Sequence, residues 1–470
     1  MDQSRHLSPA LSELAALQTC INQALNTIQE EFDIHHLPEL SNFAPKPHPL
    51  DEPEFICPPR LYEARRLALA TIGQLRNLLQ RPFEKVVEQS TAVYETACLD
   101  FVVKTSIVDK LAEAEDAAVG VSVLALQNEL DIDSVKLTTV LRYLAAQGWF
   151  RESAEGVFAL TRSALELRQG NNGRNWILTK GKPKVASALM QQLTHPDRAW
   201  RFSRQTDQTA FQLSHDTDMT LFAWLKQHPD ELRQWASSVQ AMGDVHQRSL
   251  IVDFKWQRFA QCTLVDVGGG QGNMSISLAK TLPEAKFVIQ DLEEVIPLAK
   301  QNIQQRLQGS EASNRIVVEV QSFLDPQPRI GDEYSFILRH ILHNWPDDAC
   351  VKILANLAAA AGTKSRILII DSVITLCTTF TSRSTQATEL DDLRAATEYR
   401  PITPPPYIPS NFGASAMMPL ALGVHLMGVL NALERTMNEW NRLVAQAGLR
   451  IVAVHPIRGM ESIIECEVVC

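Results

Sequence analysis

A glycine-rich loop flanked by acidic residues has the spacing of a ligand-binding turn. In LVDVGGGQGNMSISLA, Gly268, Gly270 and Gly272 separate an apolar run typical of a strand from an amphipathic run typical of a helix. Glycine lets the backbone turn tightly and lets a ligand approach within contact distance. Asp266 precedes the loop, and Asp291 ends the next predicted strand, where an acid can accept hydrogen bonds from ribose hydroxyls. The spacing is GxGxG rather than GxGxxG, which together with Asp266 suits a cofactor with an ammonium group better than one with a pyrophosphate.

A second group of reactive side chains lies in RHILHNWPDD, residues 339–348. The preceding EYSFIL is apolar and aromatic, as a buried strand is. Pro346 suits the first position of a helix, and the two aspartates after it favour the positive end of that helix. His343 is therefore expected where a strand ends and a helix begins, which is the edge at which open parallel sheets bind ligands.

The two histidines of this stretch have different expected roles. If residues 338–342 are extended, the side chain of His340 alternates with that of Arg339, so that His340 packs or lines a pocket. A metal site made of His340 and His343 would need further ligands, and the sequence has no HExxH motif or cysteine cluster to supply them. No metal is predicted, and His343 is the candidate for acid–base chemistry.

The elements after residue 263 predict the frame that positions these residues. Strands and helices alternate through TLVDVG, AKFVIQD, RIVVEVQ, EYSFILRHI and RILIIDSVI, which predicts a doubly wound, Rossmann-like parallel sheet. A helix after ERT and two final strands, RIVAVHP and SIIECEVV, complete the chain. Residues 378–410 interrupt the alternation and are expected to form a long loop beside the site.

The N-terminal part of the sequence predicts a helical region and a winged helix. Residues 1–40 carry apolar positions at helical spacing, and FAPKPHPLDEPEFICPPR has too many prolines for a helix or a strand. Residues 92–168 predict three helices, the first around LDFVVKTSIVDKLAEA, and a hairpin that turns at Glu155-Gly156. Between positions 95 and 168, seven basic residues stand against twelve acidic ones, so dimerisation or scaffolding is favoured over DNA reading.

Composition limits the classes of protein to which the chain can belong. With 470 residues, 45% of them hydrophobic, the chain can bury a large core. A net charge of −10 argues against general affinity for nucleic acid or anionic membranes, and eight scattered cysteines are typical of reduced thiols. Neither a signal peptide nor an uninterrupted apolar run able to span a bilayer is evident, so a cytoplasmic protein is expected.

Several segments, in this order behind a winged helix, resemble one enzyme family. LVDVGGGQG, VIQDLEEVI, LRHILHNWPDD, RILIIDSVI and NALERT resemble the S-adenosylmethionine-dependent O-methyltransferases of the plant caffeate and fungal natural-product type. The pair LHNWPDD and ERT is the most diagnostic, and PPPYIPSNFGASAMMP with AFQLSH resembles the fungal branch. The resemblance implies S-adenosylmethionine as cofactor, an aromatic or polyketide-like small-molecule acceptor, and a homodimer. It also implies three domains: a helical segment with a connector (1–90), a winged-helix dimerisation domain (91–170) and a cofactor-binding catalytic domain (171–470).

The resemblance also assigns roles to individual residues. In the family, the histidine before an acid–Trp pair removes the proton of the acceptor hydroxyl, and His343 matches it. Two acids flank that histidine, and Asp371 in LIIDSV and Glu434 in ALERT match their places. A neutral imidazole, with a pKa of about 6.5, can take a proton from a phenol as the methyl group moves. The implied cofactor-binding residues are Asp266, Gly268, Gly269, Gly270, Asp291, Leu292, Ser322, Phe323 and Arg339.

The sequence departs from the family pattern at four positions. Ser322, Asn344 and His425 each stand where the family usually has an acid. Ser322 can still form a hydrogen bond, and Phe323 beside it can pack on an adenine. Asp371 is one carbon shorter than the glutamate of the plant enzymes.

Two alternative functions stay open at the level of sequence. Some fungal relatives of this family bind the same cofactor yet act as pericyclases or dehydratases, in which case Arg339 and His340 would carry the chemistry. A non-catalytic winged-helix regulator is the other alternative, against which the acidic N-terminal domain and the complete set of one base and two acids argue.

Overall fold

The N-terminal region of the chain is helical. The structure, a computed structural model, describes residues 12–43, 46–180, 184–378, 387–394, 396 and 398–469. Its first helices are α1 Glu13–Ile34, α2 Pro59–Leu79 and α3 Pro82–Lys104. Proline occupies the first position of α2 and of α3, where its missing N–H has no partner to lose. Leu17 of α1 and Leu67 of α2 share a buried core, in agreement with the helical spacing of residues 12–40; residues 1–11 lie outside the described part.

A winged-helix unit follows these helices. Its elements are α4 Ile107–Ala112, β1 Val121–Ser122, α5 Val123–Leu130, α6 Ser134–Ala146, β2 Phe150–Ala154 and β3 Val157–Leu160. The strands pair antiparallel in the order β1-β3-β2, and Gly156 turns the hairpin with a φ of 69°. The single helix predicted around residues 99–114 is wrong, because Ser106 adopts a left-handed φ of 54° that separates α3 from α4. Val102 and Ile107, on either side of the break, still enter one core.

A series of helices connects the winged helix to the sheet. These helices are α7 Asn172–Lys180, α8 Lys184–Ser187, α9 Leu189–Leu193, α10 Arg198–Arg201, α11 Ala210–His215, α12 Leu221–Gln227 and α13 Pro229–Asp253. The longest of them, α13, has 25 residues, and its Gly243 and Gln247 reach a strand end of the sheet. It therefore contributes to the candidate site.

An eight-stranded sheet forms the frame of the C-terminal part. Its strands are β4 Thr263–Val267, β5 Lys286–Asp291, β6 Ile316–Val320, β7 Tyr334–Arg339, β8 Ile367–Ile374, β9 Arg435–Thr436, β10 Leu449–Pro456 and β11 Glu461–Val468. Its helices are α14 Asn273–Thr281, α15 Ile296–Arg306, α16 Asp347–Ala360, α17 Met417–Leu430 and α18 Met437–Gln446. The order is β10-β11-β8-β7-β4-β5-β6, with β9 paired to the end of β8.

The fold class predicted from the sequence is confirmed. Strands β4 to β8 are parallel, whereas β11 is antiparallel to both β8 and β10. Residues such as Ile353 of α16 and Trp440 of α18 cover one face of the sheet, and residues such as Leu278 of α14 and Trp256 cover the other. A sheet covered on both faces leaves its strand ends as the place where polar side chains can meet a ligand.

The described residues between β8 and α17 pack on the N-terminal helices. Leu390, Ile402 and Phe412 belong to the core that α1 and α2 form. Tyr399 donates a hydrogen bond to Glu63 of α2 at 2.6 Å. Of the loop predicted over 378–410, residues 379–386, 395 and 397 lie outside the described residues.

The segment that contains α17 is unusually apolar. By length and composition Gly413–Leu430 could cross a bilayer, contrary to the expectation from the sequence. In the fold, α17 packs against α11, β8 and the turn at Leu342–Asn344. It therefore forms one wall beside the candidate site.

Candidate active site

The glycine loop between β4 and α14 has backbone angles that favour glycine. Gly268, Gly270 and Gly272 have φ values of 67°, 56° and 77°. A Cβ on Gly268 would lie 2.7 Å from Ile341 Cδ1, and one on Gly272 would lie 2.5 Å from Ile289 Cδ1. Around Gly270, no described atom comes within 4 Å of that position. The loop is therefore packed at both ends and open in the middle, where a ligand can approach.

Asp266 lies under this loop near the end of β4. Its side chain accepts a hydrogen bond from Ser275 Oγ of α14 at 2.7 Å, and the residue is 3% exposed. A Cβ on Gly269 would lie 2.7 Å from the carboxyl carbon of Asp266, so glycine is needed for the acid to fit there. Burial raises the pKa of Asp266 to about 6. The acid ties the loop to the helix that follows it.

Asp291, at the end of β5, holds the open part of the loop. One carboxylate oxygen accepts a hydrogen bond from the backbone of Gly270 at 2.8 Å, and the other accepts one from Leu292 at 2.7 Å. Each carboxylate oxygen can accept a second hydrogen bond, so the group remains able to bind two hydroxyls. The Leu292 side chain beside it is 45% exposed. The glycine loop and the acid at the end of β5 are therefore in direct contact.

Ser322 and Phe323 follow β6 on the neighbouring strand end. Ser322 Oγ accepts a hydrogen bond from the backbone of Leu324 at 3.2 Å, so its side chain stabilises its own turn. The Phe323 ring lies 3.4 Å from the Cβ position of Gly268 and meets Trp345 edge-to-face, with centroids 5.7 Å apart. An aromatic surface therefore lies beside the glycine loop.

His343, in the turn after β7, has two acids beside the same ring nitrogen. Its Nδ1 is 2.8 Å from Glu434 Oε1 and 3.7 Å from Asp371 Oδ1. The three side chains are at most 4% exposed. Asp371 lies within β8, and Glu434 immediately precedes β9, so residues from three separate segments of the chain converge on one imidazole. The shorter Asp371 is still close enough to act on the ring electrostatically.

The environment of His343 favours its protonated form. Burial alone would lower the pKa of His343, but the negative charges of Asp371 and Glu434 outweigh it and raise that pKa above its usual value. Burial also raises the pKa of the Asp371 carboxyl. A proton placed on this imidazole is therefore stabilised by its two neighbours.

Arg435 fixes the turn that carries His343, a role the sequence did not reveal. Its guanidinium donates to the carbonyls of Leu342 and Trp345, both at 2.9 Å, and to Asp347 at 2.7 Å. Arg435 is 1% exposed, so these bonds are protected from water. The ERT motif contained the signal, because an arginine in a buried segment requires polar partners.

Arg339 and His340 are both directed at Glu461, the first residue of β11. Arg339 Nη2 and His340 Nε2 lie 2.9 Å and 2.8 Å from Glu461 Oε1. Arg339 also donates to Gln247 and to the carbonyl of Gly243 of α13. The prediction that residues 338–342 are extended is wrong: β7 ends at Arg339, and His340 has a φ of 55° that turns its side chain to the same acid. Sequence reasoning missed Glu461, whose only signal is an acid at the start of an apolar strand.

Two of the departures from the family pattern, Asn344 and His425, lie in the turn of His343 and on α17. Asn344 donates a hydrogen bond to the carbonyl of His340 at 2.9 Å and so stabilises the turn. His425 lies on α17, where Gly423 approaches Glu434 with 3.7 Å between its Cβ position and the glutamate Cβ. The predicted helix start is one residue off, since Pro346 caps α16 and Asp347 begins it.

The sequence is similar to those of known O-methyltransferases. Residues 199–398 match the family model of the O-methyltransferase domain. The O-methyltransferase tpcA of Aspergillus fumigatus is 27% identical over 86% of this chain and 87% of its own. The 3-O-methyltransferase 2 of Phanerochaete chrysosporium is 28% identical over 95% of both chains. Residues 199–398 thus match an O-methyltransferase domain, and the relatives that are similar over most of the chain are fungal O-methyltransferases. The protein is an S-adenosylmethionine-dependent O-methyltransferase of small molecules.

The fold of this methyltransferase is shared with an enzyme of different chemistry. A solved structure described as a pericyclic reaction enzyme superposes with a TM-score of 0.69, at 20% identity, over 97% of this chain and 99% of its own. Because the identity is low, this similarity concerns the fold alone.

The residues around the glycine loop suit S-adenosylmethionine. The open space at Gly270 admits a ligand, and the spare acceptor capacity of Asp291 suits ribose hydroxyls. Phe323 offers an apolar face for an adenine ring. The buried Asp266 lies behind the loop, where its charge favours a cationic group.

Proposed function

We propose that this methyltransferase acts on a phenolic hydroxyl of a small secondary metabolite, with His343 as general base. The observation that carries the proposal is the contact between His343 Nδ1 and Glu434 Oε1 at 2.8 Å. A carboxylate accepts hydrogen bonds and cannot donate them, so Nδ1 holds the proton and Nε2 carries the free lone pair. That lone pair is what a general base requires.

In this proposal His343 accepts one proton, and Asp371 and Glu434 stabilise the charge that results. A phenol has a pKa of about 10 and therefore keeps its proton at neutral pH. Its oxygen becomes more nucleophilic as the proton leaves. Neutral His343 accepts the proton at Nε2, while its Nδ1–H continues to donate a hydrogen bond to Glu434. Asp371 and Glu434 then stabilise the imidazolium, so the acids both orient the ring and favour its charged form. Bound S-adenosylmethionine supplies the methyl group from a positively charged sulfur, and that charge disappears during the transfer.

Arg339 and His340 support a second candidate function less well. A pericyclase or dehydratase on this fold would use them as substrate-facing groups. The guanidinium of Arg339 is committed to Glu461, Gln247 and Gly243, and one nitrogen of His340 faces Glu461. These contacts favour methyl transfer, in which neither residue acts as the base.

The deciding experiment is incubation with methyl-labelled S-adenosylmethionine and a panel of phenols, followed by mass spectrometry. Methyl transfer adds the mass of one labelled methyl group to the acceptor. An isomerised or dehydrated product without label would support the second candidate. If the protein binds the cofactor in calorimetry but changes none of the phenols, the phenolic acceptor class is wrong.

A further inference from the structure

The N-terminal helices and the segment PPPYIPSNFGASAMMP take no part in the proposed proton transfer, yet they meet at one surface. Helix α2 packs against the short turn Gly413–Ala416, which leads directly into α17. Helix α17 then continues to the turn that carries His343. The contacts of α2 with this segment therefore connect the N-terminal region to the candidate site.

Glu63 of α2 is a completely buried acid with two partners. Tyr399, which precedes α17 in the chain, donates a hydrogen bond to one carboxylate oxygen at 2.6 Å. Arg66, one turn further along α2, donates to the other oxygen at 2.6 Å and 2.9 Å. A buried carboxylate is stable only when its charge is paired and its oxygens have donors. The acid therefore ties the segment before α17 to α2 at a buried point.

Phe412, immediately before the turn, is the second point of contact. Its φ of 62° is left-handed, a conformation that a residue with a Cβ adopts only where its surroundings hold it. The side chain is 2% exposed, and the guanidinium carbon of Arg66 lies 3.6 Å from the centre of its ring. Arg66 therefore joins the buried acid to the strained residue that leads into α17.

Gly73 is where α2 approaches the turn most closely. A Cβ on Gly73 would lie 2.5 Å from the Cβ of Ala414, whereas carbon atoms in contact are usually about 3.5–4.0 Å apart. Glycine weakens a helix, so its presence in α2 is explained by this contact. Glu63, Arg66 and Gly73 follow one another at intervals of three and seven residues and therefore lie on one face of the helix, here called the α2 face.

The far end of α17 is in contact with the residues that hold His343. The Cβ position of Gly423 lies 3.7 Å from the Cβ of Glu434, which is hydrogen-bonded to the histidine. The same helix packs against the turn Leu342–Asn344. Because a helix is a rigid element, a displacement at its start is transmitted along its length. The α2 face can therefore influence the geometry around His343 without contacting it.

We propose that Glu63, Arg66 and Gly73 are positioning residues, which hold α17 against the turn of His343 and so fix the geometry in which the acceptor is methylated. This inference rests on the proposed function, because it takes the acceptor to be bound at His343. It assigns a role in catalysis to the N-terminal helices and to the segment that precedes α17. Displacement of reacting groups by about 1 Å can cost up to about 10²-fold in rate.

Hydrogen–deuterium exchange of the full chain tests the contact without any catalytic turnover. Tyr399→Phe removes one hydroxyl group, and we expect amides of residues 412–430 to exchange roughly tenfold faster or more. Tyr143→Phe is the matched control, because it removes the same atom from a winged-helix tyrosine that donates to Thr91 at 3.5 Å. Unchanged exchange of residues 412–430 in Tyr399→Phe would overturn the proposal, as would equal acceleration in both variants.

Gly73→Ala tests the consequence for catalysis. The added methyl group must displace Ala414, although alanine strengthens α2 as a helix, so a loss of activity cannot come from a weaker helix. With the phenol that the unmutated enzyme methylates fastest, we expect kcat to fall by about ten- to 100-fold. Affinity for S-adenosylhomocysteine, measured by calorimetry, should stay within about twofold, because the cofactor residues are on other strand ends.

A compensating substitution separates positioning from a general structural effect. In the double variant Gly73→Ala with Ala414→Gly the methyl group changes sides, and most of the lost kcat should return. An unchanged kcat in Gly73→Ala, a loss that the double variant does not recover, or an equal loss of cofactor affinity would each overturn the proposal. If the unmutated enzyme methylates no phenol, the phenolic acceptor class fails, and the exchange measurement still decides whether the α2 face holds α17.

Discussion

Glu434 Oε1 and His343 Nδ1 lie 2.8 Å apart although 91 residues separate them in the chain. Arg435, the neighbour of Glu434, binds the backbone of the turn that carries His343. Two consecutive residues therefore set both the tautomer and the position of one imidazole. The predictions below test this arrangement and the cofactor site beside it.

Replacing the proposed base should slow methyl transfer strongly without affecting cofactor binding. We expect His343→Ala to reduce methyl transfer by about 10²–10⁴, the usual contribution of a positioned general base. The loss should be smaller for phenols with a lower pKa, which release their proton more easily. Single-turnover rates with labelled cofactor measure the first effect, and calorimetry checks that affinity for S-adenosylhomocysteine is retained.

His340→Ala is the matched control for that variant and should cost much less. If instead Arg339→Ala and His340→Ala abolish product formation and His343→Ala does not, the second candidate function is supported. Equal methylation by His343→Ala and the unmutated enzyme would remove His343 from the mechanism.

Methyl transfer should slow at acidic pH, and the midpoint of this loss should lie above the pKa of an ordinary histidine. The base must be neutral to accept a proton, and its two acidic neighbours raise the pKa of His343 despite its burial. The rate of methyl transfer should therefore be maximal above this raised pKa and should fall as the pH decreases through it. A profile of kcat/KM against pH measures the midpoint, which we expect above about 6.5. Glu434→Gln removes one negative charge and should move the midpoint to lower pH.

Asp291 should contribute strongly to cofactor affinity. Asp291→Ala should weaken binding of S-adenosylmethionine by roughly 1.5–3 kcal/mol, the value of hydrogen bonds to a charged group. Calorimetry provides the measurement, and Glu293→Gln, an exposed acid two residues away, is the control. Absence of binding to the unmutated protein would contradict the cofactor assignment for this site.

Arg435 should matter for stability as well as for activity. Arg435→Leu leaves the carbonyls of Leu342 and Trp345 without their donor, at a combined cost of about 2–4 kcal/mol in the free energy of unfolding. Urea denaturation followed by circular dichroism measures this loss. Arg442→Leu, on the exposed side of α18, should change stability by less than about 0.5 kcal/mol. Similar losses in both variants would argue against the proposed fixing of the turn.

The exposed apolar side chains of the N-terminal helices suggest a homodimer. Leu79, Phe83 and Tyr94 of α2 and α3 are 68%, 76% and 62% exposed. Light scattering should therefore report about twice the chain mass of 52.5 kDa. Phe83→Asp should shift the protein towards the monomer, and Ile330→Asp, which is 65% exposed in a distant loop, should not. A monomer at micromolar concentration would contradict the prediction.

The sequence by itself determined the fold class and the place of the site. Hydrophobic periodicity and the glycine spacing are local properties, so the parallel sheet, the loop after β4 and the acid at the end of β5 could be predicted without coordinates. The family resemblance added Asp371 and Glu434, and the structure brings a carboxylate oxygen of each within 3.7 Å of His343 Nδ1.

Only the tertiary structure decided how the side chains at the strand ends pair. Glu461 enters the neighbourhood of Arg339 and His340 because β11 runs antiparallel beside β8, although Glu461 and its partner Ser372 are about 90 positions apart in the chain. Likewise, the turn at His340 depends on one left-handed residue, which local propensity did not predict. Long-range strand pairing and single backbone angles depend on packing across the whole domain, so no short stretch of sequence determines them.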